Sequence, residues 1–472
     1  MKILVLNGSP AGEDSITLQT MHYLQICFPK QEYEELHVGR QIRLFEKDFS
    51  RAREMLLWAD LILFCYPVYT FLVPAQLHRF IELIKEDGVE LGGKYATQIT
   101  TSKHFYDTTA HEFIRENCRD LGLRYLEGFS ADMEDLPGKQ GQREARAFFH
   151  HTLWTIQRRD RALAPMPERQ VVVVADLAQE DEELLELIEE FRKTSPFGVE
   201  VVNLQDFSFA GGCLGCFRCA ADGKCIYKDG FDTFLRERIQ TADACIYAFR
   251  IKDHSMGQRF KLFDDRQFCN GHRTVTMGKP VGYLIEGDLE KEPNLRTLIE
   301  ARAQVGGNYL AGVAVRRPGE GSPMGAEVAG SEEVFPEGAE AAGPGEGPSG
   351  QQVAETEVRA LAANLAYALR YHYTQPANFY GVGGMKIFRD LIYQMQGMMR
   401  EDHRFYKEHG FYDFPQKRMG TVLGMYLVGA MMNNKTLSRK LGGNMTKGML
   451  MPYQHVIDKK RQEKMRSGSE KL

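Results

Sequence analysis

The chain has 472 residues, 43% of them hydrophobic and 26% charged, with a net charge of −5. At roughly 100–200 residues per domain this length suggests about three domains. The balance excludes fibrous and wholly disordered classes, and the absence of a basic excess argues against a nucleic-acid partner.

The first apolar run, Ile3–Leu6, is too short for the core of a signal peptide. The longest later run, Val422–Met432, is interrupted by glycines and falls short of the ~20 residues that cross a bilayer. The expectation is a cytoplasmic protein without a transmembrane segment. In chain order, Ile3–Leu6, Leu61–Cys65 and Ala96–Thr100 read as strands buried on both faces. Helical spacing fits Ser15–Phe28, Phe49–Trp58, Pro74–Lys85, Thr108–Leu121 and Gly141–Gln157. Alternating strands and helices imply a parallel sheet covered on both faces, here over residues 1–160.

The Pro-broken stretch Arg161–Glu168 marks a boundary, and a second alternation follows over 168–371. Its strands fit Gln170–Ala175, Val199–Leu204, Ala244–Phe249, Pro280–Ile285 and Tyr309–Val315. Its helices fit Glu180–Lys193, Phe231–Gln240, Asn294–Ala303 and Glu355–Tyr371. Within it, Pro318–Gln352 holds 14 Gly or Pro, seven Glu and no Lys or Arg, the composition of a flexible insertion. From residue 372 to 472 the pattern is helical and Met-rich, with eleven of the 20 methionines between Met385 and Met451. Helices packed on the two domains account for this, and a lid over substrate or a membrane-touching element is the sharper alternative. The expected fold class is α/β: two tandem doubly wound parallel sheets plus an α-helical C-terminal region.

The first strand runs into Asn7-Gly8-Ser9-Pro10, and a helix opens near Ser15-Ile16-Thr17-Leu18. Free N–H groups and the helix dipole make such a junction a phosphate cradle, with hydroxyls as further donors. A polar cap is the plainer reading. The next buried strand leads into Pro67-Val68-Tyr69-Thr70-Phe71, and the one after into Thr101 and Ser102, all at the sheet edge where doubly wound folds bind ligands.

Gly-Ser-Pro followed by Ser-x-Thr-Leu, and Pro-Val-Tyr followed by Val-Pro-Ala-Gln-Leu, resemble the flavodoxin-like NAD(P)H-dependent FMN reductases over most of residues 1–160. That resemblance implies that Ser9, Ser15, Ile16 and Thr17 hold the FMN phosphate. Pro67, Val68, Tyr69, Thr70 and Phe71 would line the flavin ring, with Thr101 and Ser102 nearby. Where relatives often carry a cation after Gly-Ser-Pro, this chain has Ala11-Gly12-Glu13-Asp14. The flavin carries the redox chemistry, so no catalytic acid or base is assigned to His78, Arg79 or His104; His78 and Arg79, on a helix, are read as surface or interface contacts.

Cys213, Cys216, Cys219 and Cys225 lie within 13 residues, among Gly211, Gly212, Gly215 and Gly223. Short Cys spacings let one loop wrap an iron–sulfur cluster. A structural zinc site is the alternative, although zinc usually takes two Cys pairs across a longer spacer. The loop resembles that of iron–sulfur flavoproteins, which implies a [4Fe–4S] cluster on these four residues. The first strand of the second domain ends in Ala175-Asp176 and lacks Gly-Ser-Pro. It therefore reads as a degenerate copy without its own FMN, forming a covalent pseudo-dimer with the first.

Together these readings describe an FMN-dependent NAD(P)H oxidoreductase passing electrons to a small acceptor. The alternatives are an electron carrier served by ferredoxin, and a non-catalytic flavin-containing interaction module. Further homo-oligomerisation is left open.

Overall fold

A computed structural model describes residues 1–158, 163–317, 350–415, 418–432 and 435–469. The chain divides into two compact units. The first comprises Met1–Arg158, Pro376–Gly383 and Asp413–Leu472, and the second Arg159–Gln375 and Gly384–Tyr412.

In the first unit, strands β1 (Lys2–Asn7), β2 (Glu32–Leu36), β3 (Leu61–Pro67), β4 (Tyr95–Ser102) and β5 (Arg124–Tyr125) form a sheet ordered β2-β1-β3-β4-β5, with β6 (Phe129–Asp132) also pairing β4. Every pairing is parallel. Helices α1 (Ile16–Cys27), α2 (Val38–Phe45), α3 (Ser50–Trp58), α4 (Ala75–Asp87), α5 (Asp107–Asp120) and α6 (Lys139–Arg158) connect and follow the strands. The apolar run of β3 explains why both faces are covered. Its Ile62, Phe64 and Tyr66 join one core cluster, and Leu61, Leu63 and Cys65 join the opposite one. Strand alternation sends successive side chains to opposite faces, and each fully buried large apolar side chain contributes about 1.5–3 kcal/mol.

The second unit repeats this plan. Strands β7 (Met166–Ala175), β8 (Phe197–Asn203), β9 (Ala244–Arg250), β10 (Pro280–Glu286) and β11 (Tyr309–Arg316) are all parallel, in the order β11-β10-β9-β7-β8. Counted from β7, this is again the 2-1-3-4-5 order of the first sheet, the flavodoxin-like order. Its helices are α7 (Glu182–Thr194), α8 (Arg218–Asp222), α9 (Phe231–Phe234, continued by a π turn to Ile239), α10 (Gly257–Arg266), α11 (Pro293–Val305) and α12 (Gly350–Tyr371). Of the insertion expected at 318–352, residues 318–349 lie outside the described residues, and Gly350 opens α12. The C-terminal helices are α13 (Phe379–Gln394), α14 (Arg400–Glu408), α15 (Met419–Met432) and α16 (Lys435–Ser469). They are shared between the units: α14 packs on α8 in the second, while α15 and α16 belong to the first. Among the described residues no helix is long and apolar enough to cross a membrane.

Candidate functional site

At the C-terminal edge of the first sheet, Asn7 folds the loop after β1 back on itself. Its Nδ2 donates to the Gly12 carbonyl (2.8 Å), and its Oδ1 accepts from the Ser9 N–H (3.2 Å). Ser9 Oγ accepts from the Ala11 N–H (3.3 Å), and Ser15 Oγ caps α1 by accepting from the Leu18 N–H (3.4 Å). Ser9, Ser15 and Thr17 are all buried. Because the two serine oxygens act here as acceptors, their hydroxyl protons remain available to an anion. Helix geometry also leaves the Ile16 and Thr17 N–H groups without intrahelical acceptors. Glu13 and Asp14 stay exposed in the short turn Gly12–Asp14 that precedes α1.

Two residues of α2 complete this loop. A Cβ on Gly39 would fall 2.3 Å from the Ser9 carbonyl, so only glycine permits the approach. The exposed Arg40 lies over Gly12, its Cδ 2.8 Å from where a Cβ would stand. A cation from about thirty residues downstream thus stands beside the loop that follows Gly-Ser-Pro.

The loop after β3 makes a tight turn in which Tyr69 and Leu72 exchange both backbone hydrogen bonds (2.9 and 3.1 Å). Thr70 and Phe71 at its tip have φ of +47° and +71°. A β-branched residue there is strained by about 1–3 kcal/mol, and such strain clusters at ligand sites. The Thr109 hydroxyl donates to the Phe71 carbonyl and holds the turn. Phe71, Phe105 and Tyr106 are exposed and pack edge to face, with ring centroids 5.1–5.4 Å apart, and Tyr106 stacks on Phe379 at 4.4 Å. Thr101 Oγ1 lies 2.6 Å from Thr17 Oγ1, tying the end of β4 to the first turn of α1. The structure thus joins Thr17 directly to Thr101 and leaves Tyr69 and Phe71 on the open surface of the same edge. Pro67 and Val68 are half-buried at the strand end, and Ser102 Oγ accepts from the His104 N–H (2.8 Å).

Beneath the aromatic wall lies a carboxylate that sequence reasoning missed. Asp107 is fully buried and accepts from the His104 ring (3.0 Å), the Ser130 hydroxyl (2.5 Å) and the Phe379 N–H (2.9 Å). Burial alone would raise its pKa, but these hydrogen bonds hold it below the ordinary value. Nearby, desolvation lowers His111 to about 4, with Thr100 Oγ1 2.8 Å from its Nε2. His78 stacks on Phe113 and Arg79 pairs with Glu46, Glu82 and Glu86, so both are engaged on the surface of α4.

The matching edge of the second unit has the same backbone and different chemistry. After β9, Lys252 and Ser255 exchange backbone bonds (2.9 and 3.0 Å), with Asp253 and His254 at φ of +48° and +61°. Where the first unit has its hydroxyl-lined loop, the second buries Asp176, Asp181 and Glu286. Arg250 pairs with both Asp181 and Glu286, and Gln205 donates to Asp176 (2.6 Å). Desolvation raises Asp176 and Glu286 above the usual carboxylate range.

The second unit instead builds a cavity of about 420 Å³ lined by Cys213, Cys216, Cys219 and Cys225, together with Cys269 and His272. All six groups come from the loop after β8 and the segment after α10. Arg266, 2% exposed, fixes the loop. It forms a bidentate pair with Asp229 (2.8 Å each) and donates to the Gly211 carbonyl (2.8 Å). Its guanidinium lies 4.4 Å from the Tyr227 ring centroid. The hydrogen bonds from Arg266 depress Asp229 to about 2. Burial raises the pKa of Cys219. Burial lifts Cys269 to about 12. Fully buried Asp402 of the second unit anchors this wall by accepting from His272 (3.0 Å) and Arg273 (2.9 Å). All nine cysteines are free thiols, and among the described residues no three His, Cys, Asp or Glu side chains gather closely enough for a single metal ion.

A family model described as flavodoxin-like fold matches residues 1–144. That segment therefore has the flavodoxin-like fold that its loop motifs resemble. No curated protein matches the chain. Among solved structures the chain is similar to RosB with a bound 8-demethyl-8-formylriboflavin-5′-phosphate intermediate, at 13% identity over 43% of this chain and 79% of that one, TM-score 0.29. It is also similar to an FMN-dependent NADH-azoreductase from Bacillus anthracis str. Ames Ancestor in complex with FMN, at 12% identity over 32% and 98%, TM-score 0.26. A further match is an NADPH-quinone reductase from P. pentosaceus, at 13% identity over 32% and 97%, TM-score 0.27.

Proposed function

We propose that the protein is an FMN-dependent NAD(P)H oxidoreductase, with the flavin at the edge of the first unit and a small molecule as electron acceptor. The observation that carries this reading is the 2.6 Å contact between Thr17 and Thr101, which gathers an anion-ready helix start beside an open aromatic wall. Ser9, Ser15, Ile16 and Thr17 would hold the phosphate, with Arg40 as the counter-cation. Pro67, Val68, Tyr69, Thr70 and Phe71, with Thr101 and Ser102, would border the ring. When bound, FMN would supply hydride-accepting chemistry. The chain's own part is to fix the phosphate through donors, to present an apolar ring surface, and to hold His104 in place through buried Asp107.

The cysteine loop supports a second element of the reading. Four free thiols lining one cavity supply the thiolate set that a [4Fe–4S] cluster would take. Cys213, Cys216, Cys219 and Cys225 would hold it, and it would supply one-electron chemistry.

Anaerobic mixing of the purified protein with NADH or NADPH tests the activity. Bleaching of the flavin absorbance by either nucleotide is the expected result. A flavin reduced by reduced ferredoxin and by neither nucleotide would replace this reading with an electron carrier. Protein that binds no flavin would overturn both and leave an interaction module.

A further inference from the structure

Helix α15 has the composition of a buried element and the exposure of a surface one. Its 14 residues, MGTVLGMYLVGAMM, carry no charge. Yet Leu423 is 65% and Tyr426 75% exposed, and Met419, Met425 and Leu427 are exposed as well. A Cβ on Gly420, Gly424 or Gly429 would meet nothing within 4 Å, so the glycine positions are also uncovered. A helix that is apolar all round is ordinarily buried in protein or in lipid. At about 1.5 Å per residue α15 measures roughly 21 Å, short of the ~30 Å hydrocarbon core.

Charge says which cover it suits. From Phe414 to Ile457 the sequence contains no Asp or Glu, although at the chain's average density that length would hold about six. It contains six cations: Lys417, Arg418, Lys435, Arg439, Lys440 and Lys447. In a chain of net charge −5, the sequence on either side of α15 thus carries +6. An apolar strip flanked by Lys and Arg, with a tyrosine at its centre, is the composition of an element that lies in the headgroup region of an anionic bilayer. A protein partner would take the apolar face without requiring that acids be absent over so long a stretch.

We propose that α15, flanked by these cations, docks the protein on the surface of an anionic lipid membrane, lying in the interface rather than crossing it. The proposal is independent of the flavin and cluster assignments, since it uses none of their residues.

Co-sedimentation of the full chain with phosphatidylcholine vesicles, with and without phosphatidylglycerol, tests it. The wild type should bind the phosphatidylglycerol vesicles about tenfold or more tightly than the neutral ones, and high salt should release it. The variant L423E/Y426E should lose binding about tenfold or more while keeping flavin content and far-UV circular dichroism. K435Q/R439Q/K440Q should lose the preference for anionic lipid. Wild-type protein that stays in the supernatant with anionic vesicles would overturn the proposal. So would L423E/Y426E binding as tightly as wild type. A dimer in solution that L423E/Y426E converts to monomer, without vesicle binding, would make a second copy of the chain the occupant instead.

Discussion

The two sheets have one strand order and even one turn, yet their functional edges differ. Thr70-Phe71 and Asp253-His254 adopt the same left-handed pair of conformations at the end of the third strand of each sheet. Around the first, the edge offers hydroxyls, unpaired helix N–H groups and exposed aromatic rings. Around the second, it buries Asp176, Asp181 and Glu286 about Arg250. An anionic phosphate would meet carboxylates there instead of donors. The two edges share a backbone conformation and differ in side-chain chemistry, and the second unit carries its candidate chemistry in the cysteine loop after β8. Fold and site are therefore separate inferences in this chain.

The largest expected effect separates the two units outright. Cys216→Ser should abolish bound iron while leaving flavin content unchanged, because the loops proposed to hold flavin belong to the other unit; elemental analysis and released-flavin fluorescence read both. The next contrast is between two arginines. Arg266→Met leaves Asp229 unpaired and should destabilise by about 3–5 kcal/mol in denaturant unfolding. Arg79→Met removes only exposed ion pairs and should cost no more than about 1 kcal/mol. At the first edge, Ser9→Ala and Thr17→Ala should each weaken flavin binding by about 1.5–3 kcal/mol in a titration of the apoprotein. The corresponding residues of the second edge should not affect flavin at all.

His111 gives the first unit a pH dependence. Its folded pKa of about 4 lies below the ordinary value, so the unfolded chain takes up its proton first as pH falls. The contribution is complete above about pH 6.5 and is lost towards pH 4, amounting to no more than about 3 kcal/mol. His111→Gln should flatten stability over that range in pH-dependent unfolding. The smallest effect concerns the shared turn. Thr70→Asn removes β-branching from a left-handed position and should stabilise by about 0.5–1 kcal/mol, as read from the thermal midpoint. Asp253, its counterpart, is already unbranched, and Asp253→Asn should change little.

Much of this was legible in the sequence, for physical reasons. Buried parallel strands are unbroken apolar runs, so β1, β3, β4 and the strands of the second sheet stood out. The edge strand β2, Glu-Tyr-Glu-Glu-Leu, did not, because its exposed positions are acidic and only Leu36 is fully buried. With β2 and α2 unseen, Arg40 had no place beside Gly12, and the phosphate loop looked short of a cation. The cysteine loop announced itself by spacing, but Arg266 did not, since a lone arginine on a charged helix gives no sign of the Asp229 carboxylate 37 residues before it. Asp107 was hidden likewise: its partners come from His104, Ser130 and Phe379, and the last is 272 residues away.

The central claim is that flavin and metal chemistry are divided between the two units. Quantifying FMN, iron and acid-labile sulfide together, in anaerobically purified protein, tests it most directly. The account predicts one FMN with about four iron and four sulfide per chain, the composition of a [4Fe–4S] cluster. Two FMN per chain, or one FMN accompanied by a single zinc and no iron, would contradict it.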